Sequence, residues 1–292
     1  MSSAFEGFEH RVCAAVPLST LTSFRIGGPA EYFVEPRNLD ELVRLVVRCR
    51  DHDVPVRLLG GGSNVLAPDH GVPGAVFRLS SLTGIRRSGT EIACEAGAML
   101  PRLVRRAEQW GLSGLEPLAG IPGTVGGAIA MNAGGKHGSV ASVLRSVTTL
   151  DRYGFVRKRG PRKLGFGYRS SKLRPEIAVG ATFGLIEKDP TEIADRRLTV
   201  LEEKARTQPL AGWSAGCIFK NSRDRGAGEL IDRAGLKGER VGRAVVSAKH
   251  ANFIVNEGGA SSRDIRTLID RVRHRVRKTF GIDLELEIEL WN

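Results

Sequence analysis

The hydrophobic positions of this chain change period from one segment to the next. In NLDELVRLVVRCRDH, residues 38–52, apolar residues recur every three or four positions behind Asn38, and Asp40 and Glu41 open the run. That spacing predicts an amphipathic helix begun at Asn38. Before it, TSFRIGGPAEYFVEP (22–36) reads as strand, glycine turn and strand; after it, VRLLGGGSNVL (56–66) runs a short strand into a glycine loop. Short β segments are expected around 75–80 and 91–95, a second helix over about 99–110 stopped by Gly111, and a hairpin at VTTLDRYGFV (147–156). In DPTEIADRRLTVLEEKARTQP (189–209), Asp189 as a cap, Pro190 at the first helical position and Glu192 at capping-box spacing predict a helix that closes before Pro209.

That helix marks the expected domain boundary. Beyond it the pattern gives a strand (217–221), a short helix (227–234), strands at 243–247 and 252–256, a helix from about 262 to 279 with Gly281 just past its end, and a closing strand, 283–290. In the last of these, DLELEIEL alternates so strictly that Glu285, Glu287 and Glu289 should share one face, with Leu284, Leu286, Ile288 and Leu290 on the other. The expected organisation is an N-terminal arm (1–20), a mixed region (21–188) and a smaller α+β lobe (189–292).

Composition narrows the class. A chain of 292 residues, 41% hydrophobic, can fill the cores of two or three lobes. Cys13, Cys49, Cys94 and Cys217 form no Cys-x-x-Cys pair and no His-spaced zinc pattern, so neither a metal site nor disulfides are expected and a reducing compartment is the simplest setting. MSSAFEGFEH lacks the basic start and apolar core of a signal peptide, and no later run approaches the length of a membrane span, which places the expected protein in the cytoplasm. The net charge of +12 would attract polyanions of any kind. Its densest stretch, RVRHRVRK at 271–278, falls in the last turns of a helix, where cations complement the macrodipole. Aromatics do not interleave with these arginines, so the stacking platform of a single-strand binder is missing and no nucleic-acid partner is expected.

The 36 glycines cluster as GGPA (27–30), GGGSN (60–64), GIPGTVGG (120–127) and NAGG (132–135). Consecutive glycines can aim several backbone N–H groups into one concavity and so grip a diphosphate. GGGSN lacks the lysine of a Walker loop, and Val65 occupies the place of a third dinucleotide-fold glycine, so both of those readings fail. A tight turn accounts for any one such loop; two in one chain point to a bulky phosphate-bearing cofactor. In WSAGCIFKN (213–221), local sequence alone makes Cys217 a small buried hydrophobe.

Seven segments change that reading. TSFRIGGPAEYFVEP, LLGGGSNVL, AGIPGTVGGAIAMNAG, GYRSS, SAGCIFKN, AGLKGERVG and SAKHANFIVN follow one another in an order that resembles the UDP-N-acetylenolpyruvoylglucosamine reductase (MurB) family, over residues about 20–290. The resemblance implies a two-lobed FAD-binding domain of the vanillyl-alcohol-oxidase/PCMH type (21–188) followed by a smaller α+β substrate-binding domain (189–292). It implies FAD as cofactor and NADPH as reductant, and reduction of an enolpyruvyl ether to the lactyl ether of UDP-N-acetylmuramate in peptidoglycan synthesis. The partners it implies are the anionic sugar nucleotide and NADPH; apart from the resemblance, no membrane span and a monomeric state are expected.

Position by position, the resemblance makes Gly60, Gly61, Gly62, Ser63 and Asn64, with Gly123, Thr124, Gly126, Gly127 and Asn132, the residues that hold FAD. It sets Arg169, after Tyr168, where the family has an arginine that holds the substrate carboxylate, and Cys217 where many members have the serine that protonates the substrate. Lys220 and Asn221, with Tyr168, become substrate contacts. Periodicity cannot choose among Glu285, Glu287 and Glu289; alignment to the family's terminal Pro-Glu-Val picks Glu287, although Leu286 replaces the proline. Ser222 stands where proline often follows the asparagine, and the chain resembles the shorter subclass, without the extra tyrosine-bearing loop. By residue type alone, Arg169 and Lys220 are ordinary surface charges and the three glutamates a solvated strand face. Two rivals stand beside the reductase: another FAD-dependent oxidase on the same scaffold, and a non-catalytic basic binding module.

Overall fold

Helices α1 (Leu39–Asp51), α2 (Leu100–Gln109), α3 (Val125–Ala130), α4 (Pro190–Thr207), α5 (Ala227–Arg233) and α6 (Ser262–Phe280) alternate with short strands in the computed structural model, which describes residues 2–222 and 225–292. The chain forms two compact units that are interleaved along the sequence: Met1–Ala14, Glu31–Gly61 and Pro73–Glu203 in the first, Ala15–Ala30, Gly62–Val72 and Lys204–Asn292 in the second.

The first unit holds a five-stranded antiparallel sheet in the order Val156–Arg159, Leu144–Leu150, Ile177–Gly184, Glu91–Glu95, Ile85–Ser88. The expected hairpin at 147–156 is its edge, closed by Asp151, whose carboxylate accepts the amides of Tyr153 (2.9 Å) and Phe155 (3.0 Å). Strand Val56–Leu58 runs parallel to Ala75–Phe77 in a separate sheet. The apolar stripe of α1 (Leu42, Leu45, Val46, Cys49) and that of α2 (Leu100, Leu103, Val104, Ala107) are buried in one core with Ile92, Val147 and Phe183. Asn38 begins α1 as expected, its Oδ1 accepting the Glu41 amide at 2.9 Å. Asp189 caps α4 through the Thr191 amide (2.7 Å), and Glu192 in the first turn pairs with Lys188 (2.9 Å) and Arg196 (2.6 Å).

The second unit packs α5 and α6 on a small antiparallel sheet of Arg240–Val241, Ala244–Val246 and Ile254–Asn256. Helix α6 carries Ile265, Leu268, Ile269, Val272 and Val276 into this core, begins with a Ser261–Asp264 capping box and ends at Gly281 in the left-handed conformation (φ +69°). Phe24, Ile26 and Leu66, from distant segments, lie in the same core.

Three sequence expectations are corrected in this unit. Residues 22–28 form no strand: the Thr22 hydroxyl donates to Ile26 O (2.8 Å) and accepts from the Ile26 amide (3.3 Å), which closes a local loop in competition with any ladder. Residues 217–221 form no regular strand; they make single bridges, Cys217 to Phe253 and Phe219 to Leu286. The closing strand shrinks to Glu289–Leu290, paired in parallel with Val65–Leu66. With the backbone bending at Ile288, the three glutamates differ in setting: Glu285 is exposed, whereas Glu287 and Glu289 are half-buried.

Candidate active site

In the first unit two glycine loops meet backbone to backbone. A Cβ on Gly61 would stand 2.6 Å from the Gly123 Cα, and one on Gly60 would stand 2.8 Å from the Thr124 Oγ1, so neither residue tolerates a side chain without displacing the other loop. The second loop leads into α3, which Thr124 caps by accepting the Gly127 amide at 3.3 Å. It is tied to the following layer by Val125 N to Ala98 O and Gly126 N to Ala96 O, both 2.8 Å. Gly127 differs from its neighbours: it is exposed, and an added Cβ would meet nothing closer than Thr124 Oγ1 at 3.6 Å. Packing within the chain therefore does not call for glycine there, although glycine inside a helix costs about 0.5–1 kcal/mol relative to alanine.

Asn132 follows α3 with φ +43° and is buried. Its Nδ2 donates to Gly167 O (2.8 Å) and its Oδ1 accepts the Ala141 amide (3.1 Å). Its side chain thereby braces the GYRSS loop, which Ser171 also pins by donating to Ala130 O at 2.8 Å. Gly167 and Ser170 close a tight turn with Tyr168 and Arg169 at its tip; Arg169 sits at φ +52°, and its guanidinium lies 5.2 Å from the centre of the exposed Tyr168 ring. The fold thus brings Gly60, Gly61, Gly123, Thr124, Gly126, Gly127, Asn132, Tyr168 and Arg169 into one unit.

The second unit holds Gly62, Ser63, Asn64, Cys217, Lys220, Asn221 and Glu287. Gly62 has φ +65°, and a Cβ there would overlap Leu21 O at 2.0 Å. Half-buried Ser63 lies between it and Asn64, whose Nδ2 donates to Glu287 O (3.0 Å) and whose carbonyl accepts the Glu289 amide (2.9 Å). Across the same segment Glu287 N donates to Ile218 O, and Lys220 N to Glu285 O, each at 2.8 Å. Cys217 and Glu287 are therefore held on two bonded segments, and the glycine loop is bonded to the second of them. Cys217 is half-buried. Lys220 pairs its ammonium with the exposed Glu285 carboxylate, and Asn221 uses its Oδ1 to accept the Ala227 amide (3.0 Å) at the start of α5.

Asn252 escaped residue-by-residue reading. It is 2% exposed, and its side chain takes both backbone groups of Phe219. An amide inside the apolar run ANFIVN, where a buried strand would reject it, is the one mark it leaves in the sequence. Beside it His250, half-buried with its ring centre 4.9 Å from that of Phe253, has its pKa lowered, mainly by partial desolvation and further by Lys237.

These geometries agree with what the chain is similar to. The family model described as UDP-N-acetylenolpyruvoylglucosamine reductase, C-terminal domain, matches residues 208–291, and that described as FAD binding domain matches residues 30–159. A protein of Symbiobacterium thermophilum named UDP-N-acetylenolpyruvoylglucosamine reductase 2 is 43% identical over 284 residues, 96% of this chain and 92% of the relative. The reductase of Moorella thermoacetica is 42% identical over 286 residues, 98% of this chain and 95% of its own. The crystal structure of the reductase (MurB) from Thermus caldophilus superposes with a TM-score of 0.86 at 41% identity, covering 97% of this chain and 99% of the other. The chain belongs to the UDP-N-acetylenolpyruvoylglucosamine reductase family.

With that family comes its fold, which pairs an FAD-binding domain with the family's C-terminal domain. The residues present fit the cofactor of a UDP-N-acetylenolpyruvoylglucosamine reductase. Side chains are excluded where the loops touch at Gly61, and the surface is left bare at Gly127, where nothing in the protein requires it. Among the described residues no helix is long and apolar enough to cross a membrane.

Proposed function

We propose that this chain is an FAD-dependent reductase that uses NADPH to convert the enolpyruvyl ether of UDP-N-acetylglucosamine-enolpyruvate into UDP-N-acetylmuramate, acting in the cytoplasm as a monomer without nucleic-acid partners. The observation that carries it is 43% identity across 96% of the chain to a relative of that name. In this reading residues 21–188, after an arm of residues 1–20, hold FAD and residues 189–292 carry the substrate. Gly60, Gly61, Gly62, Ser63, Asn64, Gly123, Thr124, Gly126, Gly127 and Asn132 form the cofactor cradle, Asn132 by bracing the loop behind it.

Bound FAD, reduced by NADPH, supplies the hydride that the substrate's β carbon receives. The chain's own residues manage the charge and the proton. Negative charge grows on the substrate carboxylate and must be stabilised where it forms. Arg169 clamps that carboxylate through its planar guanidinium, which can make two parallel hydrogen bonds, and Glu287, when protonated, donates another. Cys217 delivers a proton to the α carbon. A thiol with a reference pKa of about 8.5 still carries its proton at neutral pH and lies far nearer the working pH than an alcohol, so cysteine can take the place of serine. Tyr168, Lys220 and Asn221 contact the substrate; Lys220 does so by exchanging Glu285 for an anionic group, and Asn221 through its NH2, since its oxygen caps α5.

The purified protein should be yellow, bleach under anaerobic NADPH and recover its colour with the enolpyruvyl sugar nucleotide but not with 2-hydroxy acids. A bleached flavin that the sugar nucleotide leaves colourless would overturn the reading. Light scattering during gel filtration tests the monomer: a dimer mass at micromolar concentration would exclude it.

A further inference from the structure

Cys217 stands on a segment that is tied to its neighbours by single antiparallel bridges, Cys217 to Phe253 and Phe219 to Leu286, rather than by a continuous ladder. On one side residues 247–253 form a turn rather than a strand: Ser247 Oγ accepts the amides of Lys249 (3.2 Å) and His250 (3.3 Å), and Phe253 N donates to His250 O (2.9 Å). The backbone of Phe219, 1% exposed, would lose its ladder partners there, and a buried backbone group needs one. Asn252 supplies both. Its Oδ1 accepts the Phe219 amide at 2.9 Å, its Nδ2 donates to Phe219 O at 2.8 Å, and its own carbonyl accepts the Ile218 amide at 2.8 Å.

Three bonds from one residue thus fix the two residues that follow Cys217. Asn252 is itself held, donating its amide to His250 Nδ1 at 3.3 Å, and α5 closes over that histidine so tightly that a Cβ on Gly228 would stand 3.1 Å from its Cε1. The opposite edge of the segment is bonded to Glu285 and Glu287. Asparagine suits this place because it presents a donor and an acceptor side by side. Aspartate accepts only and would face the Phe219 carbonyl with a like charge, and serine lacks the second group.

We infer that Asn252 is the positioning residue for the Cys217 thiol, an inference that rests on the proton-donor role given to Cys217 above. A donor must come within about 2.6–3.2 Å of the atom it protonates, and a misplacement of about 1 Å costs on the order of a hundredfold. Fixing the backbone at Ile218 and Phe219 sets where the sulfur of the preceding residue points. A residue that only supported the fold would change the fraction of folded enzyme and leave the rate per folded molecule alone.

Stopped-flow measurement of the two half-reactions on the FAD-loaded full chain separates these cases. N252D and N252S should leave flavin reduction by NADPH within twofold of the parent. They should slow flavin reoxidation by UDP-N-acetylglucosamine-enolpyruvate on the order of tenfold to a hundredfold per FAD-bound molecule, with a raised solvent deuterium isotope effect. The double variant N252D/C217A should be no slower than C217A, because the asparagine acts through the sulfur. Reoxidation within twofold of the parent in both Asn252 variants would overturn the inference while leaving Cys217 its role, and so would a double variant slower than C217A by the full N252D factor. Unaltered reoxidation in C217A would instead remove the reading of Cys217, and the inference with it. Should neither variant fold, hydrogen exchange on the parent still decides: the Phe219 amide should be strongly protected, and exchange at exposed-loop rates would refute the clamp.

Discussion

Cys217 shares the chain with three other thiols in different settings, which makes its chemistry separable. Cys49 and Cys94 are buried, and desolvation pushes their thiols up to about 12, so they resist alkylation at neutral pH. Cys13 is exposed and Cys217 half-buried. Iodoacetamide should therefore modify Cys13 and Cys217, and only the second event should abolish flavin reoxidation. C13S should be inactivated at the parent rate and C217S should resist, with peptide mass spectrometry locating the adduct. Inactivation of C217S at the parent rate would show that another thiol matters. His250 gives a second prediction at this scale. Its folded pKa lies below the ordinary value near 6.5, so the unfolded chain binds its proton first. The stability it contributes is complete above that ordinary value and is lost as pH falls from there toward the lower folded value, where protonation also turns Nδ1 from acceptor to donor against the Asn252 amide. The melting temperature should drop between pH 7 and pH 5, and H250N should flatten that slope. An equal slope in the variant would assign it to other groups.

Elements differ in how far their own residues determine them, and the glycine loops allow this to be tested. Gly61→Ala must push the loop from Gly123, 2.6 Å away, and overpacking of that kind costs about 1–3 kcal/mol, so both apoprotein stability and FAD affinity should fall. Gly127→Ala meets only Thr124 Oγ1 at 3.6 Å, and alanine is the better helix former by about 1 kcal/mol, so the apoprotein should melt higher while FAD binds more weakly. Calorimetry of the apoprotein and flavin titration read the two effects; unchanged FAD affinity in Gly127→Ala would remove that residue from the cradle. The same distinction explains which elements were legible in the sequence. Helices α1 and α6 carry their caps, apolar stripes and stops within their own residues, and the 147–156 hairpin carries its closing Asp151. The irregular segments do not. Thr22 folds 22–28 back on itself, and Asn252 and Asn64 hold 217–219 and the Glu287 segment through side-chain bonds to residues 33 and 223 positions away. Hydrophobic alternation contains no trace of such bonds. The candidate site was legible as a set of motifs because each motif is local; what braces Cys217, Arg169 and Glu287 was not, because Asn252, Asn132 and Asn64 act across the sequence.

At the scale of the whole molecule the interleaving of the two units has a consequence for how the chain can be divided. The match to the C-terminal family model covers residues 208–291, yet the core of the second unit also contains Phe24, Ile26 and Leu66, all at most 3% exposed. Burial of three such side chains stabilises by about 1.5–3 kcal/mol each, hence about 5–9 kcal/mol together, which is comparable to the net stability of about 5–15 kcal/mol of an entire domain. Polar ties leave with them. The Asp69 carboxylate accepts the Ser262 amide (2.8 Å) and hydroxyl (2.8 Å) at the start of α6, Asn256 Nδ2 donates to Phe24 O (2.8 Å), and Val65–Leu66 is the partner of the Glu289–Leu290 strand. A fragment of residues 204–292 keeps α5, α6 and most of its apolar residues but lacks all of these. It should give a poorly dispersed amide NMR spectrum and a broad urea transition, whereas the full chain should unfold with a steep one. A fragment that unfolds sharply would show that residues 15–30 and 62–72 are carried by this core rather than required by it.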